Sequence, residues 1–138
     1  MDTATSTARV ELYTDEQTRR LYATDASSYE ELPKVVAFPN NINDIINIVD
    51  HAREHELPIT ARGAGTSLAG QTTGGGLVMD VGRNMSQILN INPSTKSAHV
   101  QPGVIRDTLN REAGRHNLLF GPDTATTDRC MLGGMIGN

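Results

Sequence analysis

All thirteen glycines of this 138-residue chain lie between Gly63 and Gly137. The first 62 residues can therefore build side-chain-rich regular structure, whereas the later part must contain bare backbone able to take positive φ or to touch a ligand closely. Charge divides at the same place. Residues 1–61 carry eleven acids and five bases, and residues 62–138 carry five acids and seven bases. An acidic front is thus joined to a mildly positive, glycine-rich back, a combination that suits an anionic phosphate group. The overall charge of -4, with Lys34 and Lys96 as the only lysines, argues against a nucleic-acid partner.

With 37% hydrophobic and 20% charged residues the chain reads as one soluble globular domain's worth of sequence, its core filled by Ile, Val, Leu and Met because aromatics make up only 4%. No apolar run is long enough to span a membrane, and the polar start Met1-Asp2-Thr3-Ala4 lacks the basic and apolar regions of a signal peptide. A single cysteine, Cys130, rules out an intrachain disulfide framework and fits a reducing compartment, with the cytoplasm as the expected location.

The first ten residues read as a mobile tail, followed by weak helical periodicity at Val10, Leu12, Tyr13, Leu21 and Tyr22 and a loop at Asp25-Ala26-Ser27-Ser28. Lys34 to Phe38 has the length and β-branching of a buried strand. Asn41 caps a helix with Asp44 three residues on, and Ile42, Ile45, Ile46, Val49 and Ala52 recur with helical period until Pro58. Residues 58–62 form a second strand, so residues 34–62 predict a parallel βαβ unit. Further on, Gly76 to Val81 reads as a third strand, 87–91 with 97–101 as a hairpin around Asn92-Pro93-Ser94, and Ile105 to about Arg115 as a helix with Ile105, Leu109 and Ala113 on one face. The closing Gly133-Gly134-Met135-Ile136-Gly137-Asn138 reads as a turn, which suggests a piece of a longer protein cut within a loop.

Two loops carry candidate chemistry. Arg62-Gly63-Ala64-Gly65-Thr66-Ser67-Leu68-Ala69-Gly70-Gln71 follows a strand, and its successive N–H groups can form an anion nest with hydroxyl donors from Thr66 and Ser67. Leu68 stands where the dinucleotide fingerprint needs glycine, and no lysine completes a phosphate loop of the Walker kind. A tight turn with a flexible loop is the plain alternative. The second candidate runs from Gly121-Pro122-Asp123-Thr124-Ala125-Thr126 to Gly133-Gly134, polar residues followed by glycines, for which a solvated surface loop is the plain alternative.

The order of these motifs, about fifty residues apart, resembles the FAD-binding domain of the vanillyl-alcohol-oxidase and para-cresol-methylhydroxylase superfamily, in its branch of FAD-linked 2-hydroxy-acid dehydrogenases. The resemblance runs from about Asp25 to the last residue. It implies an α+β domain of the FAD-binding type-2 kind: a tail and short helical segment at 1–28, a small parallel βαβ subdomain at 29–90, and the start of a second, mixed or antiparallel subdomain at 91–138. It assigns Arg62, Gly63, Ala64, Gly65, Thr66, Ser67 and Gly70 to the FAD pyrophosphate, and Pro122, Asp123, Thr126, Gly133, Gly134, Gly137 and Asn138 to the flavin and ribityl side. Relatives with covalent FAD carry histidine in place of Thr66, so non-covalent FAD is implied. The implied reaction is oxidation of a small 2-hydroxy acid, with catalytic residues in later parts of such proteins and none in this stretch. The wording from Thr124 to Leu132 also resembles long members with a C-terminal iron–sulfur region. A truncated second subdomain would leave an open sheet edge and favour self-association.

Other residues are weaker candidates. His51 and His55 sit four apart on the predicted helix but lack the zincin glutamate and a third ligand. Cys130 has no histidine near it in sequence, which favours packing over nucleophilic chemistry. A non-catalytic nucleotide- or phosphate-binding module and a ligand-free interaction domain remain as alternatives.

Overall fold

The computed structural model describes residues 10–137. Apart from Val10, the expected N-terminal tail lies outside these residues, as does Asn138. Two sheets organise the chain. The first has four strands in the order β1-β2-β4-β3, where β1 is Leu12–Tyr13, β2 Val35–Ala37, β3 Ile59–Arg62 and β4 Leu77–Asp80. The second is a hairpin of β5, Ile88–Asn92, and β6, Ser97–Val100. The helices are α1, Glu16–Leu21; α2, Ile42–Glu54; α3, Arg106–Gly114; and α4, Leu132–Gly137.

The predicted βαβ unit is present, with β2 and β3 both parallel to β4. They are not neighbours, because β4 lies between them. The reason is burial: all four residues of β4 are buried, whereas β3 alternates exposed and half-buried positions as an edge strand does. Val35, Ala37, Leu77 and Met79 face Ile48 and Ala52 of α2, and Val36 and Val78 are fully buried as well.

Helix α2 begins as predicted: Asn41 Oδ1 accepts from the Asp44 N–H at 3.0 Å, and the Asp44 carboxylate accepts from the Asn40 N–H at 2.8 Å. It ends with Glu56 at φ 53° and the Leu57 N–H bonded to the Ala52 carbonyl at 2.8 Å, a Schellman closure before Pro58. Its buried stripe differs from the expected one. The sheet takes Ile45, Ile48 and Ala52, while Ile42, Ile46 and Val49 form a second arc that is 71%, 52% and 43% exposed. Six aliphatic positions on one helix make two apolar arcs, and periodicity does not say which one meets the sheet.

The hairpin and α3 form as read, and with Val104, Leu109 and Leu132 they enclose a second core that Ile88, Ile91, Val100, Phe120 and Met135 border. Three local expectations change. Leu12 and Tyr13, read as helical, form an edge strand antiparallel to β2. The helix nearby starts later, where the Asp15 carboxylate accepts from the Thr18 N–H at 2.8 Å. The C-terminal glycines, read as a turn, lie in α4, whose first turn is docked by N–H bonds from Leu132 to the Val104 carbonyl and from Gly133 to the Pro102 carbonyl, both 2.9 Å.

Ile48 is 1% exposed, so Ile48→Ala should cost about 2–5 kcal/mol, against about 0.5 kcal/mol or less for the equivalent change at Ile42. Urea midpoints of the two variants check this; equal losses would place the wrong arc against the sheet.

Candidate functional site

Strands β3 and β4 are adjacent and parallel, yet residues 63–76 join them without a helix. Parallel neighbours need a crossover that returns the chain to the far end of the sheet. Here the glycine-rich loop is that crossover. It leaves the sheet at Arg62 and re-enters where the Leu77 N–H donates to the Pro58 carbonyl at 2.9 Å.

The N–H groups of Ala64, Gly65, Thr66, Ser67 and Leu68 make no hydrogen bond to any described residue. Gly65, Thr66 and Ser67 are half-buried. Main-chain donors in partly buried positions require acceptors, and a run of them forms a nest for an anion. Gly65 has φ 69° and Gly70 φ 77°. A Cβ on Gly65 would lie 2.7 Å from the Arg62 guanidinium, and one on Gly70 would lie 2.7 Å from the Tyr29 ring. Gly70 thus demands glycine by backbone angle and by space, while Gly65 demands it by backbone angle, the atom in its way being the movable end of the Arg62 side chain.

Arg62, Gly63 and Ala64 line one cavity of about 510 Å³ at the C-terminal ends of β2, β3 and β4. The remaining wall was not legible in the motifs: Tyr13, Thr18, Leu21 and Tyr22 come from β1, α1 and its end, Asp80 from the last position of β4, and Phe38 and Arg83 from just beyond the strands. Arg62 lies 5.1 Å from the Tyr22 ring centroid, and Arg83 lies 4.5 Å from that of Phe38. Among the described residues neither guanidinium is ion-paired with a carboxylate, and Arg62 gives only long bonds to the Tyr22 and Thr72 carbonyls. Both keep donors for an incoming anion.

Asp80 organises the floor. Its Oδ2 accepts from the Tyr22 hydroxyl at 2.7 Å, and its Oδ1 accepts from the N–H groups of Gly82 at 2.8 Å and Arg83 at 3.1 Å. These three donors satisfy a carboxylate that is only 8% exposed. Burial, together with the hydrogen bond and negative charge of Asp80, pushes the Tyr22 hydroxyl far above its ordinary value.

The second predicted loop is fastened elsewhere. Arg106 donates from Nε to the Pro122 carbonyl at 2.7 Å and pairs with the Asp123 carboxylate at 3.1 Å. The Thr126 carbonyl accepts from the Arg129 and Cys130 N–H groups at 2.8 and 2.7 Å. Cys130 is buried, its thiol 2.9 Å from the Thr124 hydroxyl. Contact with the first loop comes through Met131, whose side chain lies 3.4 Å from where a Cβ of Gly63 would be. Pro122, Asp123 and Thr126 do not line the cavity, and Gly134 and Gly137 face open space.

A parallel three-stranded core whose crossover is a glycine-rich loop with unpaired N–H groups, joined to a second hairpin-based core, has the architecture and donors of a nucleotide-cofactor-binding α+β domain. The family model described as FAD binding domain matches residues 33–138, and the chain belongs to that family. D-2-hydroxyglutarate dehydrogenase of Pseudomonas putida is 36% identical over 131 residues, which is 93% of this chain and 13% of that protein. Glycolate oxidase subunit GlcD of Bacillus subtilis is 38% identical over 121 residues, covering 86% of this chain and 26% of the relative. Among solved structures, alkyldihydroxyacetonephosphate synthase superposes with a TM-score of 0.79 over 92% of this chain and 26% of its own, at 18% identity. For 6-hydroxy-D-nicotine oxidase from Arthrobacter nicotinovorans the TM-score is 0.66 at 28% identity, over 83% of this chain and 26% of that one. The expected FAD-binding type-2 fold is therefore borne out, and FAD is the cofactor of the family. The residues present fit it: the N–H groups of 64–68, unpartnered among the described residues, and Arg62, which is paired with no described carboxylate, suit a pyrophosphate.

Because the Tyr22 hydroxyl is raised, its contribution to stability is complete below the ordinary value of 10.0 and declines as pH climbs above it. Tyr22→Phe should therefore lose stability near neutrality and flatten the alkaline decline seen in urea midpoints; an alkaline limb identical to that of the parent chain would refute the Tyr22–Asp80 linkage.

Proposed function

We propose that this chain is the FAD-binding portion of an oxidoreductase that oxidises a small 2-hydroxy acid. The observation that carries this reading is that relatives named D-2-hydroxyglutarate dehydrogenase and glycolate oxidase subunit match 93% and 86% of the chain. The chain spans only 13% and 26% of those relatives, so the substrate chemistry belongs to the rest of such a protein. FAD, when bound, supplies the acceptor for the two electrons of the alcohol carbon.

Within this chain the work is binding and orientation. Arg62 and the segment Gly63, Ala64, Gly65, Thr66, Ser67 and Gly70 hold the pyrophosphate through backbone N–H groups, hydroxyls and one guanidinium. Pro122, Asp123, Thr126, Gly133, Gly134, Gly137 and Asn138 flank the flavin and its ribityl chain, Pro122 and Asp123 being held against α3 by Arg106. Thr66 cannot form the histidyl bond of covalent relatives, so FAD is held non-covalently. No helix among the described residues is long and apolar enough to cross a membrane, and the reading places the chain in the cytoplasm.

The test is visible absorption after incubation with excess FAD and desalting. The parent chain should retain flavin bands near about 375 and 450 nm, and Arg62→Ala and Gly65→Val should each lose most of them. Flavin retained equally by all three chains would move the pyrophosphate off this loop, and a colourless parent chain beside a yellow full-length protein would show that binding needs the second half of the cofactor bed.

Self-association follows from the same reading. Among the described residues the β5–β6 hairpin has no third strand, and Leu119 and Ile136 are 74% and 84% exposed. Light scattering should show species larger than a monomer; a clean monomer across concentrations would contradict it.

A further inference from the structure

The segment from Ala23 to Pro33 is a strap laid along the glycine crossover. It closes on itself through the antiparallel bridge between Thr24 and Glu30 and through the Glu31 N–H to the Ala23 carbonyl at 2.8 Å. Its tip is shaped by side chains: Asp25 Oδ1 accepts from the Ser27 N–H at 2.8 Å, and Ser27 Oγ accepts from the Tyr29 N–H at 3.1 Å. The other carboxylate oxygen leaves the strap. Asp25 Oδ2 accepts from the Thr72 hydroxyl at 2.9 Å and, at 3.4 Å, from its N–H.

Three further contacts run from strap to crossover. The Ala26 N–H donates to the Gly65 carbonyl at 3.0 Å, within the stretch whose own N–H groups stay uncommitted. The Tyr29 ring lies against Gly70, where a Cβ would be 2.7 Å away. The Lys34 N–H, just past the strap, donates to the carbonyls of Gly75 and Gly76 at 3.3 and 2.8 Å. A helical crossover would be held by its own hydrogen-bond ladder. This one is not helical, and its turns at Gly65 and Gly70 are fixed from the strap.

We propose that Asp25 and Tyr29 are positioning residues for the cofactor loop. They touch no ligand themselves; they hold residues 64–72 in the conformation that leaves five N–H groups without a described partner, so that the ordering cost of the loop is met before the cofactor arrives. Asp25 is suited to this because one carboxylate serves two segments. Burial opposes its charge, but the donors of Ser27 and Thr72 prevail and hold the carboxyl below the ordinary carboxylate range. The proposal rests on the reading of residues 62–70 as the pyrophosphate loop.

The experiment compares Asp25→Asn, Tyr29→Ala and Tyr29→Phe with the parent chain by amide hydrogen exchange without ligand and by FAD titration. Asp25→Asn and Tyr29→Ala should each speed exchange at the hydrogen-bonded amides that join strap and loop, those of Ala26, Thr72 and Thr73, by about tenfold and leave α2 amides unchanged. FAD should bind about tenfold more weakly to both, while Tyr29→Phe, which keeps the ring on Gly70, should restore parent values in both measurements. Exchange unchanged at Ala26, Thr72 and Thr73 in both disruptive variants would overturn the proposal, as would weakened binding in Tyr29→Phe equal to that of Tyr29→Ala. If the strap variants loosen the loop but the parent chain and full-length protein bind no FAD, the positioning stands and the pyrophosphate reading fails.

Discussion

The structure turns on one topological constraint: β3 and β4 lie side by side in parallel, and bare backbone makes the connection. A parallel pair forces the chain to travel the length of the sheet before pairing again. In most α/β units a helix makes that journey and covers one face of the sheet. Here the helix is used one step earlier, between β2 and β3, and the crossover next to the central strand is left to glycine, threonine and serine. Backbone without a ladder must find partners elsewhere. Some of its carbonyls find them in the strap, and the N–H groups of residues 64–68 find none among the described residues.

The other side of the site depends on a buried acid. Asp80 ends the central strand and takes three hydrogen bonds, so the buried carboxylate is satisfied by neutral donors instead of by an arginine. That arrangement leaves Arg62 and Arg83, the nearby cations, stacked on aromatic rings and uncommitted to carboxylates. Had either arginine paired with Asp80, the positive field at the ends of the strands would be largely cancelled within the protein. Ring stacking holds a guanidinium in place while leaving its in-plane donors available.

Local signals made much of this legible in the sequence. The Asn41–Asp44 box, Pro58, the Asn92-Pro93-Ser94 turn and the glycine loop each act over a few residues, and their elements stand where the chemistry puts them. Long-range pairing was not legible. Nothing near Leu77 states that it inserts between β2 and β3, and nothing near Leu12 states that two residues will pair with Val36 and Ala37. The same limit hid half the cavity: Tyr22 meets Asp80 across 58 positions, and Arg83 meets Phe38 only because two strands end at one level. Ile48 was passed over because α2 is apolar on two arcs, a question settled by the sheet. The C-terminal glycines misled for the opposite reason: docking bonds to Pro102 and Val104 keep them helical against their own propensity.

The insertion of β4 also orders events during synthesis. The strands of the first sheet leave the ribosome as β1, β2, β3 and β4, but the centre of the sheet is the last to appear. Until residues 77–80 emerge, β3 has no partner, α2 has only half of its floor, and the acidic front of the chain waits with Ile45 and Ile48 uncovered. The whole glycine crossover is already outside by then, because it precedes β4 in the chain. Closure of the sheet and shaping of the glycine crossover thus occur in one step, so a nascent chain stalled before Leu77 has neither the first core nor the shaped crossover.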